Sequence, residues 1–406
     1  MKNLTNQHPE TRDTKDTQAV VSRYDRILLG VIIGLMSLGI VLIYSASIVS
    51  AEQNFGDAQF YLKRQSIYAV IALAVLGVAM NIHYMFWQKI AKFALAAGMI
   101  ALLVVLVPGV AATAKGAARW ISLGPIRVQP SEIIKLVWII YLSHFVTQRA
   151  DLITSFKGGW VNPLAIMSVI GLLLMAQPDF GSTVICSGMM VMILWVGGAR
   201  WKHLCALVAA GMGLIAIAII SEPYRMKRIM AFIDPSQDQL SVSYHIRQAL
   251  ISFGSGDWHG LGLGQSRQKL FYLPEAHTDF VFSILGEELG LVGVVLVVGL
   301  YVAFVWRGLR LTHRTMNSFG GMLAFGLTAE IGFQAVTNMA VTMALLPTKG
   351  LTLPFVSFGG SSLVTLGLAG GILLNISKNQ PVPAWLDPDA RKRPDAPANL
   401  LIEEGR

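Results

Sequence analysis

The densest group of ionisable side chains in this apolar chain is the stretch Leu273-Pro-Glu-Ala-His-Thr-Asp-Phe280, which brings Glu275, His277 and Asp279 close together. A carboxylate held at a wet site can take the proton of a hydroxyl nucleophile, which is general-base work. If the helix that follows begins near Asp279, then Asp279, Ser283 and Glu287 fall at i, i+4 and i+8 and share one face. An Asp at a helix N-terminus is also an ordinary cap, and at this point both readings stand. Glu287 and Glu288 lie further into an apolar run. There an ionised acid costs about 2.5–3.5 kcal/mol at mid-bilayer. Such acids need polar partners or water, so the outer half of this helix is expected to line a wet cavity.

Three other polar groups stand out. Pro347-Thr-Lys-Gly-Leu-Thr-Leu-Pro-Phe-Val-Ser-Phe-Gly-Gly-Ser361 carries Lys349 and Ser361, and its Pro354, Gly359 and Gly360 interrupt any regular helix. Irregular backbone at membrane depth is tolerated only beside protein or water. Lys349 is a compact cation suited to phosphate, or a side chain snorkelling to a headgroup. A second group is Arg119-Trp120 with Gln129-Pro-Ser-Glu132 and Lys135; a third, Gln177-Pro-Asp-Phe-Gly181, reads as a tight turn. With Arg225 and Arg228, the cations Arg119 and Lys349 read either as solvated loop charge or as a basin for phosphate, in a lipid headgroup or a lipid-linked substrate. Familiar sites are missing: there is no G-x-x-x-x-G-K-[ST] loop and no H-E-x-x-H. Cys186 and Cys205 lie in apolar runs without metal-ligand spacing around them. Asp387 and Asp389 lie in a Pro-rich tail and are discounted as a metal pair.

The elements that position these residues follow from composition. Of the 406 residues, 54% are hydrophobic and 14% charged, and the mean hydropathy is +0.58. A soluble domain is about a quarter charged, so lipid is the expected solvent. Apolar runs near the ~20 residues a span needs occur at about 27–49, 65–81, 86–108, 131–146, 163–177, 183–198, 204–221, 280–306, 318–344 and 353–376. The expected fold is all-α: a polytopic integral membrane protein of about ten transmembrane helices, with a large periplasmic loop, 222–279, between helices seven and eight. Residues 1–26 carry no apolar core or cleavage site, so the first span is expected to stay as an anchor. Arg200, Lys202, Arg307, Arg310 and Arg314, with Arg23, Arg26 and Arg391-Lys392-Arg393, mark the cytoplasmic side. That gives a cytoplasmic N-terminal tail, 1–26, a membrane domain, 27–376, and a disordered cytoplasmic C-terminal tail, 377–406. Within the large loop, Val242, Ile246, Leu250 and Phe253 recur at helical spacing. They predict an amphipathic helix, lying on the membrane or packed on the bundle.

The strings LPEAHTDFVFSILGEELG and LPTKGLTLPFVSFGGSS, with GAARWISLG, QPSEIIK and AQPDFGS, resemble the SEDS family (shape, elongation, division and sporulation) over roughly residues 24–376. Glu-Ala-His-Thr-Asp and Thr-Lys-Gly resemble its division member more than its elongation member. The resemblance implies a peptidoglycan glycosyltransferase that polymerises lipid II at the periplasmic face, in the bacterial inner membrane at the septum. It implies as partners a class B penicillin-binding transpeptidase (FtsI) and other divisome proteins, and no nucleic acid. It carries Asp279 over as the catalytic base. The candidate substrate-binding residues are Lys349, Arg119, Arg225, Arg228, Glu275, His277, Ser283, Glu132 and Ser361. No cofactor is implied with certainty; a divalent cation bridging pyrophosphate and carboxylates is an open expectation, with no protein metal ligands assigned. Rival readings are a lipid II flippase, an elongation-type polymerase and a scaffold that recruits the transpeptidase.

Overall fold

The computed structural model describes residues 24–107, 111–114, 117–123, 126–222, 226, 230, 232, 242–269, 277–347 and 350–378. Three long helices open the chain: α1 (Arg26–Phe55), α2 (Phe60–Asn81) and α3 (Met85–Val105). The Asp25 carboxylate starts α1 by accepting from Leu28 N, and Gly56 ends it in the left-handed conformation, φ 66°. A small antiparallel sheet follows, β1 (Ala111–Ala114), β2 (Ala117–Leu123) and β3 (Ile126–Val128), in the order β1-β2-β3. Then come α4 (Pro130–Gln148), a 3-10 turn at Ala150–Leu152, α5 (Phe156–Gly159), α6 (Val161–Ala176), α7 (Phe180–Val196) and α8 (Trp201–Ile220). The chain continues through α9 (Val242–Gly256), α10 (Val281–Arg314), α11 (Ser318–Thr342) and α12 (Gly360–Lys378). Among the described residues, seven helices are long and apolar enough to cross a membrane, and α6 and α7 are shorter apolar helices. The all-α expectation holds for the bundle, and the sheet is an addition the sequence pattern did not announce.

Glycines let helices close on one another where the bundle is tightest. On α12, Gly367 meets the Ala72 backbone and Gly371 the Leu76 backbone of α2, where any side chain would clash. α4 runs through the middle against α3, α7 and α11, with Trp138 fully buried and its indole N–H donating to Cys186 O at 3.1 Å. α8 is the opposite case. Of its residues only Leu204 is buried, so its apolar surface has lipid as its natural solvent.

α1 and α10 are pinned to each other at both ends. Arg307 Nε donates to Asp25 Oδ2 at 2.7 Å, and Asp25 N donates to the Ser377 hydroxyl at 3.0 Å. At the other end the Ser45 hydroxyl donates to the Glu288 carboxylate. Glu288 and Arg307 lie nineteen residues apart on α10, which is about 28 Å at 1.5 Å per residue, close to the ~30 Å of a hydrocarbon layer. The two polar clamps are therefore spaced about one hydrocarbon thickness apart.

The wet cavity expected at Glu287 and Glu288 is not what forms. Both carboxylates are buried, at 1% and 0% exposure, and they satisfy the segment after α9. Glu287 accepts from the Ser266 hydroxyl and from Arg267 N, and Glu288 lies 3.6 Å from Lys269 Nζ. The backbone explains why. α10 breaks at Gly290, φ 64° and ψ −161°. The carbonyls of Glu287 and Glu288 accept from Leu261 N and Gly262 N, while Leu291 N and Val292 N donate to Asp257 O and Trp258 O. A break in a helix frees these groups, and the loop takes them up. α9 packs beside this joint through Ile246, Ala249 and Ser252, all buried, with Phe253 against Phe282 at 5.6 Å. Leu250 is exposed, so the apolar face expected at 242, 246, 250 and 253 is rotated, and the described part of the helix packs on the bundle.

Gly290→Ala tests this joint. A Cβ there would lie 2.7 Å from Trp258 C and O, in a backbone conformation that itself costs about 1–3 kcal/mol for a non-glycine residue. The expected outcome is a lower unfolding temperature for the purified protein and faster proteolysis between α9 and α10. An unchanged melt would refute the joint.

Candidate active site

Asp279 sits where three segments meet. It lies two residues ahead of α10, which starts at Val281 with Phe280 at its N-cap position and no side-chain cap there. Asn338, on α11, donates from Nδ2 to Asp279 O at 3.0 Å and also to Leu351 O. The Asp279 carboxylate lies over Gly350, φ 64°, with Oδ2 3.2 Å from where a Cβ would stand. A side chain at 350 would crowd the acid and strain the turn. His277 is held beside it: Phe358 N donates to His277 O at 3.0 Å, and its ring lies 4.4 Å from Tyr61 and 5.8 Å from Phe358. Phe280 is buried with Ala46, Ala249 and Ile284, its ring stacked against His245 at 6.0 Å. Asp279 and His277 are half-buried, neither sunk in the core nor fully in water.

Beneath the acid runs a buried polar stripe. Glu330, Gln334, Asn338 and Thr342 recur at i+4 along α11 and are at most 5% exposed, so they share one face. Gln334 donates from Nε2 to Thr352 O at 3.0 Å, and its Oε1 accepts from Lys135 Nζ at 3.1 Å. Lys135 is itself buried and pairs with Glu132 at 2.9 Å and Glu330 at 4.0 Å. A continuous chain of polar contacts thus joins α4 and α11 to the 350–352 segment and on to Asp279. Sequence reading did not single out Glu330, Gln334 or Asn338. Their i, i+4, i+8 recurrence inside an otherwise apolar span was the available signal.

The other candidate residues distribute unevenly. Ser361 accepts from Gln129 N at 3.3 Å, and Glu132 pairs with Lys135 as above, which ties the start of α4 to the start of α12. Arg119 on β2 donates from Nε to Gln177 O at 3.0 Å and from a terminal nitrogen to Pro178 O, so this cation serves backbone carbonyls. The Gln177–Gly181 turn is accordingly more than a turn: Gln177 Nε2 reaches Leu102 O, and Asp179 caps α7 through Ser182 N. Ser283 corrects its expectation. It is fully buried and its hydroxyl donates to Phe280 O at 2.7 Å, because the first turn of α10 faces the core. Glu275, Arg225, Arg228 and Lys349 lie outside the described residues. Among the described residues no group of three or more His, Cys, Asp or Glu side chains gathers as a metal site.

The helix starting at residue 360 rather than near 353 belongs to the same design. Pro354 O accepts from the Tyr301 hydroxyl, Phe355 has φ 65°, and Val356 presses on Gly39 of α1. The segment 351–359 is thus an irregular corner sunk in protein, as backbone at this depth must be.

A family model described as cell cycle protein (FtsW, RodA and SpoVE) matches residues 25–381. The chain belongs to the FtsW/RodA/SpoVE family. Curated relatives of that family include the probable peptidoglycan glycosyltransferase FtsW of Nitrosococcus halophilus, 43% identical over 355 residues, 87% of this chain and 92% of the relative. That of Legionella pneumophila is 39% identical over 365 residues, covering 89% and 93%. Among solved structures, a chain from a study of how a peptidoglycan synthase complex coordinates polymerization and crosslinking superposes with a TM-score of 0.73 at 28% identity, covering 88% of this chain and 98% of that one. Thermus thermophilus RodA gives 0.66 at 26% identity, covering 89% and 98%. A multi-pass membrane protein of the FtsW/RodA/SpoVE family is what the bundle builds.

Asn338 offers a direct test of the site. Asn338→Asp replaces the donor to two carbonyls by an acceptor, and Asn338→Ala removes it. Each is expected to expose the amides of 277–280 and 350–353 to hydrogen exchange, by about 1–3 kcal/mol of lost protection, with Asp the worse. Unchanged exchange in both variants would show that the carboxamide does not hold the site.

Proposed function

We propose that this chain is a peptidoglycan glycosyltransferase of cell division, joining lipid II disaccharides into glycan strands at the outer face of the inner membrane, with Asp279 as general base. The observation that carries the reading is the lodging of Asp279: half-exposed, at the mouth of α10, with its carbonyl clamped by Asn338 and its carboxylate over Gly350. A positioned base of this kind contributes about 10²–10⁴-fold, and a clamp on its backbone keeps it in reach of one acceptor.

In this mechanism Asp279 takes the proton of the acceptor sugar hydroxyl as its oxygen forms a bond to the donor's anomeric carbon. The bond from that carbon to the diphosphate oxygen breaks, and the polyprenyl diphosphate leaves with the electron pair. One displacement with the base opposite the leaving group inverts the centre, as in inverting glycosidases. The departing charge needs cations rather than an acid. Lys349, which precedes Gly350 in the chain, is assigned that role with Arg225 and Arg228. Arg119, engaged by the carbonyls of Gln177 and Pro178, is assigned to positioning. His277 and Glu275 border the acceptor, and Glu132 and Ser361 brace the entry of α4 and α12.

The basic end that carries Arg307, Arg310 and Arg314 is assigned to the cytoplasm, with both tails and ten spans. The Asp279 end then faces the periplasm at the septum. A class B transpeptidase (FtsI) is the assigned partner, supported by the synthase-complex neighbour. A requirement for a divalent ion is tested by running the reaction with and without chelator.

The deciding experiment gives purified protein in liposomes labelled lipid II, with the transpeptidase present. Asp279→Asn is expected to lose 10²–10⁴-fold in polymer formation while inserting and melting as the wild type does. Polymer at the wild-type rate would remove Asp279 as base. Lipid movement without polymer from the wild type would replace the enzyme by a flippase.

A further inference from the structure

At the end of the bundle opposite Asp279, a groove opens between the first turns of α3 and the last turns of α4. It has a volume of about 370 Å³, and its lining includes Gln88, Lys89, Lys92, Phe93, His144 and Gln148. Its place is fixed by contacts. Tyr84 N, just ahead of α3, donates to Asn375 Oδ1 at 2.8 Å, and Asn375 Nδ2 donates to Met80 O at 2.9 Å. Two residues on, Ser377 holds Asp25, which pairs with Arg307. The groove therefore opens at the level of the Asp25–Arg307 clamp, the basic interface of the bundle.

We propose that this groove binds the phosphate of an anionic membrane lipid in the leaflet at that end. No acid lines it, and among the described residues neither Lys89 nor Lys92 has an acidic partner. Two unneutralised ammonium groups one turn apart form a ready counterion for a phosphodiester. His144 adds a third polar side chain to the lining.

The apolar part of the groove selects a lipid over a soluble phosphate. Phe93 follows Lys89 at i+4, on the same helix face one turn deeper in the bilayer, and is 78% exposed. Ammonium groups at the rim with an aromatic ring below match a headgroup above an acyl chain. Basic pockets between spanning helices on the cytoplasmic side hold anionic headgroups by this arrangement. The site lies at the far end of the bundle from the proposed chemistry and does not depend on it.

The test uses the full-length protein in mild detergent, titrated with phosphatidylglycerol or phosphatidylethanolamine and read by native mass spectrometry. Wild type is expected to retain phosphatidylglycerol in preference to phosphatidylethanolamine. The double variant Lys89→Gln, Lys92→Gln is expected to bind phosphatidylglycerol roughly 30-fold more weakly at low salt, at about 1 kcal/mol per cation, with the gap narrowing as salt rises. Arg310→Gln, an exposed cation at the same end but outside the groove, is expected to leave binding unchanged. A melt in lipid-free detergent checks that the double variant is folded. Equal retention by the double variant, or equal retention of the two lipids by the wild type, would overturn the proposal. Displacement of the lipid by millimolar glycerol phosphate would make the ligand soluble and overturn it as well.

Discussion

One carboxamide holds the site together. Asn338 has a single amide nitrogen, and it reaches the carbonyls of Asp279 and Leu351 at once. These two carbonyls belong to irregular segments inside a membrane bundle, where water is scarce and an unsatisfied backbone group costs several kcal/mol. Two acceptors facing one side chain also decide which way the amide points. The nitrogen must face the loops, and Asn338 Oδ1 is left buried without a partner among the described residues. A fold keeps such an imbalance where position matters more than stability. Here the position secured is that of the residue two before α10 and of the turn that passes under its carboxylate.

The other side of Asp279 is made rigid by different means. The first ten residues of α10 are locked from Val281 to Gly290, because the helix trades backbone hydrogen bonds with the 257–262 segment at its break. Glu287 and Glu288 complete that joint, drawn into protein by Ser45, Ser266 and the Arg267 amide. Two acids that look catalytic by composition thus serve as anchors. What distinguishes them from Asp279 is burial: theirs is complete, and hydroxyls and amides satisfy them, while Asp279 stands half-exposed at the mouth of the helix.

The long helices were legible because lipid demands long apolar runs, and each long apolar helix overlaps a run read from the sequence, with α12 starting later, at Gly360. The reading failed where the pattern is shared by two structures. Glu287 and Glu288 in an apolar run signal polar partners, but whether these are water or a returning loop depends on Ser266 and Arg267, some twenty residues earlier. The rotation of α9, which exposes Leu250 and buries Ala249, escapes because alanine weighs little in an apolar pattern yet is what close packing onto Phe280 and Ile284 requires. The sheet at 111–128 escaped for the same reason: short strands of alanine and isoleucine carry little alternation. Asp279 stands out in the sequence through the crowding of acids and a histidine before a long helix. Asn338 does not, because a lone amide in a span reads as a stray polar residue until its i+4 neighbours are counted.

The depth of the polar stripe bears on what such a bundle can do. Glu330 and Thr342 are separated by twelve residues of α11, about 18 Å of helix, and Ser318 lies another twelve residues beyond Glu330 towards the basic end. In that inner half, Phe319, Leu323, Ala324 and Leu327 are fully buried, and the Thr328 hydroxyl turns back onto Ala324 O at 2.7 Å. The polar column therefore stops near mid-bilayer, with Lys135 neutralised between Glu132 and Glu330. A carrier moving a diphosphate across by this column would have to break that cluster apart and desolvate its charges, a penalty of several kcal/mol per ion. A polymerase at one face needs no such route. The same cluster then acts as a floor: it closes the polar region from below and braces, through Gln334 and Thr352, the turn on which the Asp279 carboxylate rests.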